Sequence, residues 1–104
     1  MAAFNVVRMR VKPGREEEFI ALYSTMDAHM TARMKENGLR RRVVIKTGER
    51  SYCVIAEWDS KESIHKSIPY MLANLDRGRE LLEDLGGGVG LTDPVSGEVV
   101  VDQA

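Results

Sequence analysis

Three side chains in the second half of the sequence are of types that can bind or act on a small molecule. Histidine is the commonest general acid or base in proteins, and His65 is a candidate for the base that takes a substrate proton. Tyr70 follows Pro69, where a helix is expected to break, so it could donate a hydrogen bond at a pocket edge. Trp58 could stack on an aromatic ring. Each also has a structural interpretation: Trp58 and Tyr70 as packing residues, and His65 as a partly exposed helix histidine.

Other polar and reactive residues fit structural roles better. In a strand, Arg40 and Arg42 would point one way and Arg41 the other, which indicates solvated edge charges and no single anion-binding patch. The glycines at 86–90 follow a helix and lack the Lys-Ser/Thr pair of a phosphate-binding loop. Cys53 lies in a predicted strand, so we expect a buried, inert thiol. No spacing of Cys, His and Asp predicts a metal site.

Composition bounds the class of protein without naming an activity. The 104 residues, 43% of them hydrophobic, predict one domain over 1–104, and the net charge of −1 gives no reason to expect a nucleic-acid partner. There is no apolar run long enough to span a membrane, and the first residues do not form a signal peptide. A single cysteine excludes an internal disulfide and favours a cytoplasmic location.

The first half of the chain predicts a strand, a helix and a hairpin. Residues 4–12 alternate apolar and basic side chains, as a strand does, and Pro13 ends them. An apolar stripe over 15–36 predicts one long helix, on which Met26 and Met30 could line either a core or a pocket. Residues 39–47 and 51–58 form the predicted hairpin, and Tyr52 at the start of its second strand is another candidate donor to a ligand.

The second half of the chain predicts two helical segments, a glycine-rich helix end and a C-terminal extension. A short helix after residue 60 should break at Pro69, and a second helix should continue to residue 85. The extension, about 89–104, is expected to hold a turn at 93–97 and a last strand at 98–102.

The resulting order, β-α-β-β-α-β, is the ferredoxin-like split βαβ arrangement, an α+β fold with both helical regions on one face of an antiparallel sheet. The sheet is predicted to be apolar on both faces, because Val54 and Trp58 line one side of the third strand while Cys53 and Ile55 line the other. An apolar face without a cover within the chain needs a second layer. We therefore expect a homodimer joined through the sheets.

Three segments resemble the antibiotic biosynthesis monooxygenase family, whose members are dimeric α/β barrels. These segments are residues 11–19 (VKPGREEEF), 57–62 (EWDSKE) and 65–70 (HKSIPY). The resemblance implies a ligand pocket between each sheet and its helices. It also implies, for some members, cofactor-free monooxygenation of phenols or quinols, with no cofactor and no metal.

On that resemblance, the leading hypothesis is a cofactor-independent monooxygenase for a small aromatic or quinol-like substrate. His65 and Tyr70 would be its catalytic residues, and Trp58, Asn5, Tyr52, Met26 and Met30 would contact the substrate. The alternative is a non-catalytic dimeric module that binds a small ligand or a partner. Haem binding or degradation is a third hypothesis, but Tyr70 stands where that branch has its axial histidine.

Overall fold

An antiparallel sheet carries the helices on one of its faces, in a computed structural model that describes residues 1–25 and 28–103, with the side chains of Ala28 and His29 excepted. The elements are β1 (Ala3–Val11), α1 (Glu16–Ser24), α2 (Ala28–Glu36), β2 (Leu39–Gly48), β3 (Ser51–Trp58), α3 (Lys61–Gly78), β4 (Leu82–Glu83) and β5 (Thr92–Glu98), with a 3-10 turn over Arg79–Leu81. The strand order is β2-β3-β1-β4, and β5 also pairs with β1. This arrangement confirms the predicted ferredoxin-like α+β fold.

The inner face of the sheet packs under the helices, and the outer face does not. The alternation predicted for β3 is confirmed: Val54, Ala56 and Trp58 are buried on the inner face. Cys53 and Ile55 point to the outer face, where they pair with residues of β1 and β2. Period-two alternation in a strand is therefore enough to sort these side chains.

The buried side chains form two separate core clusters. The first core cluster contains Met9, Val11, Phe19, Tyr52, Val54, Leu81 and Leu82. The second core cluster contains Ala3, Met34, Ala56, Trp58 and Ile64. A domain of this size usually has one contiguous core, so the division leaves space between the clusters.

The single long helix predicted over 15–36 is wrong, because two helices, α1 and α2, occupy this region. At the end of α1 the Ser24 hydroxyl donates to the Ile20 carbonyl oxygen at 2.7 Å, and the Thr25 hydroxyl donates to that of Ala21 at 2.8 Å. Such side-chain bonds compete with the helical backbone bonds and favour a helix end. Met26 lies outside the described residues.

The helix break predicted at Pro69 is also wrong, because α3 runs from Lys61 to Gly78 through the proline. A proline inside a helix removes the backbone hydrogen bond to the carbonyl four residues earlier, here that of His65. His65 and Pro69 are both exposed. Water can therefore hydrogen-bond the freed carbonyl, and the helix continues.

The predicted course of the chain after α3 needs two corrections. The helix ends at Gly78, not at 85, and Leu82 begins β4 with its side chain buried in the first core cluster. The residues 93–97, predicted as a turn, belong to the strand β5. The strand predicted at 98–102 is not found, because β5 ends at Glu98. Pro94 is tolerated because β5 is an edge strand, where a missing amide proton costs no ladder bond.

Gly38 joins α2 to β2 and is predicted to be intolerant of a side chain. Its φ is +113°, and an added Cβ would collide with the Ser63 hydroxyl on α3. We expect Gly38→Ala to lower the free energy of unfolding by about 2 kcal/mol or more, measured by urea denaturation. Gly86→Ala is the matched control, because its φ is +85° with no atom near the added carbon. Equal losses in the two variants would show that the contact with Ser63 contributes nothing.

Candidate functional site

A cavity of about 330 Å³ lies between the inner face of the sheet and the helices. Its wall is shared by the two core clusters, with Met9 and Val54 from the first and Trp58 and Ile64 from the second. Most of the lining is apolar. A concave apolar site of this size with a few polar groups is typical of a pocket for a small organic molecule.

One row of residues across the sheet places two polar side chains in the cavity wall. Arg42 on β2 pairs with Ala56 on β3, and Ala56 pairs with Asn5 on β1. All three line the cavity. Because Ala56 carries only a methyl group, the space above it stays open between Arg42 and Asn5. Neighbouring strands lie about 4.8 Å apart, so the backbones of Arg42 and Asn5 are roughly 10 Å from each other.

Asn5 and Trp58 form a buried hydrogen-bonded pair. The indole Nε1 of Trp58 donates to Oδ1 of Asn5 at 2.6 Å, and Asn5 and Trp58 are only 7% and 1% exposed. An indole N–H is a donor only, so this bond fixes which end of the Asn5 amide faces Trp58. The Nδ2 group has no protein partner within the described part of the chain. Its two N–H groups are therefore available to an oxygen atom in the cavity.

Arg42 and Tyr23 are the two titratable side chains of the described lining. Burial lowers the pKa of the Arg42 guanidinium, and interaction with Tyr23 opposes part of that change. Burial raises the pKa of the Tyr23 hydroxyl, against a smaller opposing effect of the Arg42 charge. Arginine side chains stay protonated in proteins, so Arg42 is treated as a cation, and the raised pKa of Tyr23 keeps its hydroxyl neutral at neutral pH.

The mouth of the cavity lies beside the middle of α3. Ile68 and Leu72, one turn apart on the helix, both line the cavity while 40% and 49% exposed. Pro94 on β5 also lines it and is exposed. Exposed apolar residues around an opening are suited to admit an apolar ligand.

The structure brings together only some of the predicted site residues. Trp58 and Asn5 line the cavity side by side. His65 is exposed on α3 and Tyr70 is half-buried against the second core cluster, and neither is in the lining. Their assigned roles as base and donor stay predictions, and the geometry of the cavity lends them no support.

The other predicted contacts lie elsewhere. Tyr52 belongs to the first core cluster, where its hydroxyl donates to Oε1 of Glu16 at 2.7 Å, and that bond helps to hold the pKa of Glu16 below its usual range. Met30 on α2 is half-buried and is not part of the lining. The described lining also contains none of the histidines that haem ligation would need.

Arg42 is the site residue that the sequence pattern placed wrongly. Simple alternation puts Arg40 and Arg42 on the same side, but the register of β2 against β3 shifts between Leu39 and Arg41. Arg40 consequently turns to Asp59, which its Nε reaches at 2.6 Å, while Arg42 faces the cavity. Arg42 is thus no solvated edge charge. A one-residue bulge of this kind reverses the facing of every residue before it.

The family model of the antibiotic biosynthesis monooxygenases matches residues 3–68. The chain belongs to this family. The match includes both members of the Asn5–Trp58 pair and ends inside α3. A search of curated proteins found no match.

Solved structures similar to this antibiotic biosynthesis monooxygenase family member include three from different organisms. A dimeric ferredoxin-like protein from an uncultured marine organism is 19% identical, with a TM-score of 0.74 over 99% of this chain and 91% of its own. A mutant of SnoaB, a cofactor-independent oxygenase from Streptomyces nogalater, is 17% identical, with a TM-score of 0.70 over 97% and 95%. A conserved protein from Methanosarcina mazei is 19% identical, with a TM-score of 0.72 over 94% and 92%. At these identities the similarity establishes the fold.

Two further observations concern the described residues alone. None of the helices found there is long and apolar enough to cross a membrane. The same residues contain no group of three or more His, Cys, Asp and Glu side chains arranged to hold a metal ion.

Proposed function

We propose that this protein is a cofactor-independent monooxygenase for a small aromatic or quinol-like substrate. The observation that carries the proposal is the Asn5 amide, which is fixed by Trp58 and presents its N–H groups to an apolar cavity. A positioned donor in a site with little water stabilises negative charge far better than the same donor in water. Family membership and the similarity to SnoaB support the same class of reaction.

The reaction needs no external reductant. An ionised quinol passes one electron to O₂, and the resulting ring radical and superoxide combine to form a carbon–oxygen bond. Protonation gives a ring hydroperoxide, whose O–O bond breaks as the ring carbon loses its hydrogen, releasing water. One quinol and one O₂ thus yield one hydroxyquinone and one water, so one oxygen atom is incorporated and the other is reduced.

The residues of the cavity would contribute binding, orientation and exclusion of water. Trp58 would pack against the ring of the substrate, and the Asn5 amide would hydrogen-bond an oxygen on which negative charge develops during the reaction. The apolar walls, including Val54 and Met71, would keep bulk water from the radical pair.

Oxygen uptake with a panel of hydroquinones tests this proposal. Simple autoxidation of a quinol makes hydrogen peroxide, from which catalase returns oxygen, whereas the proposed reaction makes water. We expect protein-dependent uptake that catalase does not reverse, together with a hydroxyquinone product seen by mass spectrometry. His65→Ala should retain this uptake if the cavity acts without His65, and should lose it if His65 is the base. The absence of protein-dependent uptake across the panel would overturn the proposal.

A non-catalytic ligand-binding module is the second candidate, and one observation favours it. The described lining contains no Asp, Glu, His or Lys that could accept a proton from a substrate. Saturable quenching of Trp58 fluorescence by aromatic ligands, without any oxygen uptake, would support this candidate over the oxygenase.

We also propose that two copies of the chain associate through their outer sheet faces. The outer face carries an apolar patch, which consists of Phe4, Val6, Val43, Ile45, Cys53, Ile55 and Val95. Phe4, Ile45 and Val95 are 38%, 43% and 63% exposed in the single chain. A contiguous patch of this kind is typical of an interface. A structurally similar protein is itself described as dimeric.

Substituting Ile45 tests the proposed dimer. We expect the native protein to have twice the mass of the chain in light scattering, and Ile45→Lys to weaken association by at least tenfold, because each interface would bury two added charges. Ile20→Lys is the matched control, since Ile20 is 51% exposed on α1, away from the outer face. A native protein that stays monomeric at all concentrations, or an Ile45→Lys dimer of native strength, would contradict the proposal.

A further inference from the structure

Arg42 has no counter-ion in the part of the chain that the structure describes, in contrast to several arginines that are more exposed. Arg8, Arg15, Arg40 and Arg79 each have a carboxylate oxygen at 2.6 Å. Among the described residues, no carboxylate lies within 4.0 Å of the half-buried Arg42, and no hydrogen bond to its side chain is present. Burying a cation without a partner is costly, so stability alone gives no reason for this arrangement.

The surroundings of Arg42 are those of a ligand site. The residue lines the cavity opposite Asn5, with the small Ala56 between them in the same row of the sheet. The cavity volume of about 330 Å³ is large enough for a small fused-ring molecule. Tyr23, a neutral hydroxyl, lines the same cavity and interacts with Arg42.

We propose that the cavity binds an aromatic monoanion, whose charged oxygen pairs with Arg42 while its rings lie over Ala56 against Trp58. The ligand class is a fused-ring compound with an ionised enol, phenol or carboxylate. A guanidinium in an apolar site favours such an oxygen strongly, because the local dielectric constant is low. Arg42 is thus a specificity-determining residue that selects charged over neutral aromatic molecules.

This part of the inference rests on the proposed oxygenase. In that reaction Arg42 would make a protein base unnecessary, because it would bind the substrate in its ionised form. A substrate that binds already ionised needs no proton acceptor in the protein, which agrees with the absence of Asp, Glu, His and Lys from the described lining. A neighbouring positive charge lowers the pKa of a bound enol or phenol and keeps it ionised.

Binding of matched ligand pairs tests the inference without any turnover. The probes are hydroxynaphthoquinone, which is ionised at neutral pH, with its neutral methoxy analogue, and naphthoate with its neutral methyl ester. Quenching of Trp58, the single tryptophan, reports binding. We expect at least one anion to bind at least tenfold more tightly than its neutral partner. The two pairs distinguish an enolate from a carboxylate as the preferred group.

Substitution of Arg42 is the second test of the inference. Arg42→Met should weaken binding of the preferred anion at least tenfold and change that of its neutral analogue less than twofold, whereas Arg42→Lys should keep part of the preference. Equal affinity of the native protein for charged and neutral ligands would overturn the inference, and so would an unchanged preference in folded Arg42→Met. The comparison on native protein stands even if the variant does not fold. Absence of oxygen uptake would count against the oxygenase alone, because these experiments measure only binding.

Discussion

Trp58→Ala is expected to lower the free energy of unfolding by about 3–5 kcal/mol, the largest stability effect that we predict for this chain. Trp58 is 1% exposed and belongs to the second core cluster, so its removal would join a large new void to the existing cavity. The substitution would also leave Oδ1 of Asn5 without its donor. Urea denaturation at one fixed protein concentration measures the loss, since association would make stability depend on concentration.

Two companion variants show where the loss comes from. Trp58→Phe keeps most of the ring but removes the N–H, so we expect a smaller cost of about 1–3 kcal/mol for the unsatisfied Asn5 oxygen. Ile20→Ala truncates an apolar residue that is half exposed on α1, and it should change stability by less than about 0.5 kcal/mol. A Trp58→Ala variant as stable as Ile20→Ala would contradict the packing described for the second core cluster.

Asn5→Asp is expected to lower the rate of oxygen uptake about 100-fold or more, the largest effect on activity that we predict. Aspartate has the same shape and still accepts the Trp58 hydrogen bond, but it lacks the Nδ2 donors that face the cavity. Removing one donor to a developing oxyanion typically costs a factor of roughly 10²–10³ in kcat. Steady-state uptake with the best hydroquinone of the panel measures the change.

Asn5→Ala separates the donor from the structural bond. Both variants lose the Nδ2 donors and should lose activity, but only Asn5→Ala also leaves the buried Trp58 N–H without an acceptor, at about 1–3 kcal/mol of stability. Asn5→Asp with native kcat would show that the amide N–H groups play no part in the reaction.

Sequence patterns correctly predict the elements in which the local periodicity of apolar residues matches their burial in the fold. Alternation in β3 sorted Val54 and Trp58 from Ile55, and the element order predicted the ferredoxin-like sheet. The placement of Trp58 and Asn5 in one site followed from the family resemblance and the strand order together. Periodicity of two was enough for the facing of the β3 residues, and the pairing of β1 with β3 brings Asn5 and Trp58 into one site.

The rest depended on context that local patterns do not contain. The register shift at Arg40 turns Arg40 away from the side of Arg42, which keeps the inner facing of Val44, and a single residue of slip is invisible to alternation. Local helical phase is informative for His65: it follows Ile64 by about 100° around α3, and the lining contains Ile64, Ile68 and Leu72 without it. Local sequence predicts Pro94 in a turn, because the edge position that lets a strand contain proline is a property of the whole sheet.

The continuous course of α3 through Pro69 bears on how a ligand would enter the cavity. The helix lacks one backbone bond beside Ile68, at the turn that forms the mouth together with Leu72. Opening the helix at this turn breaks one backbone hydrogen bond fewer than opening it elsewhere. We therefore expect the amides next to Pro69 to exchange with solvent deuterium faster than the other interior amides of α3. The mouth of the cavity can then open by local unfolding of this helical turn. The sheet, which holds the Asn5–Trp58 pair, keeps its structure during that opening.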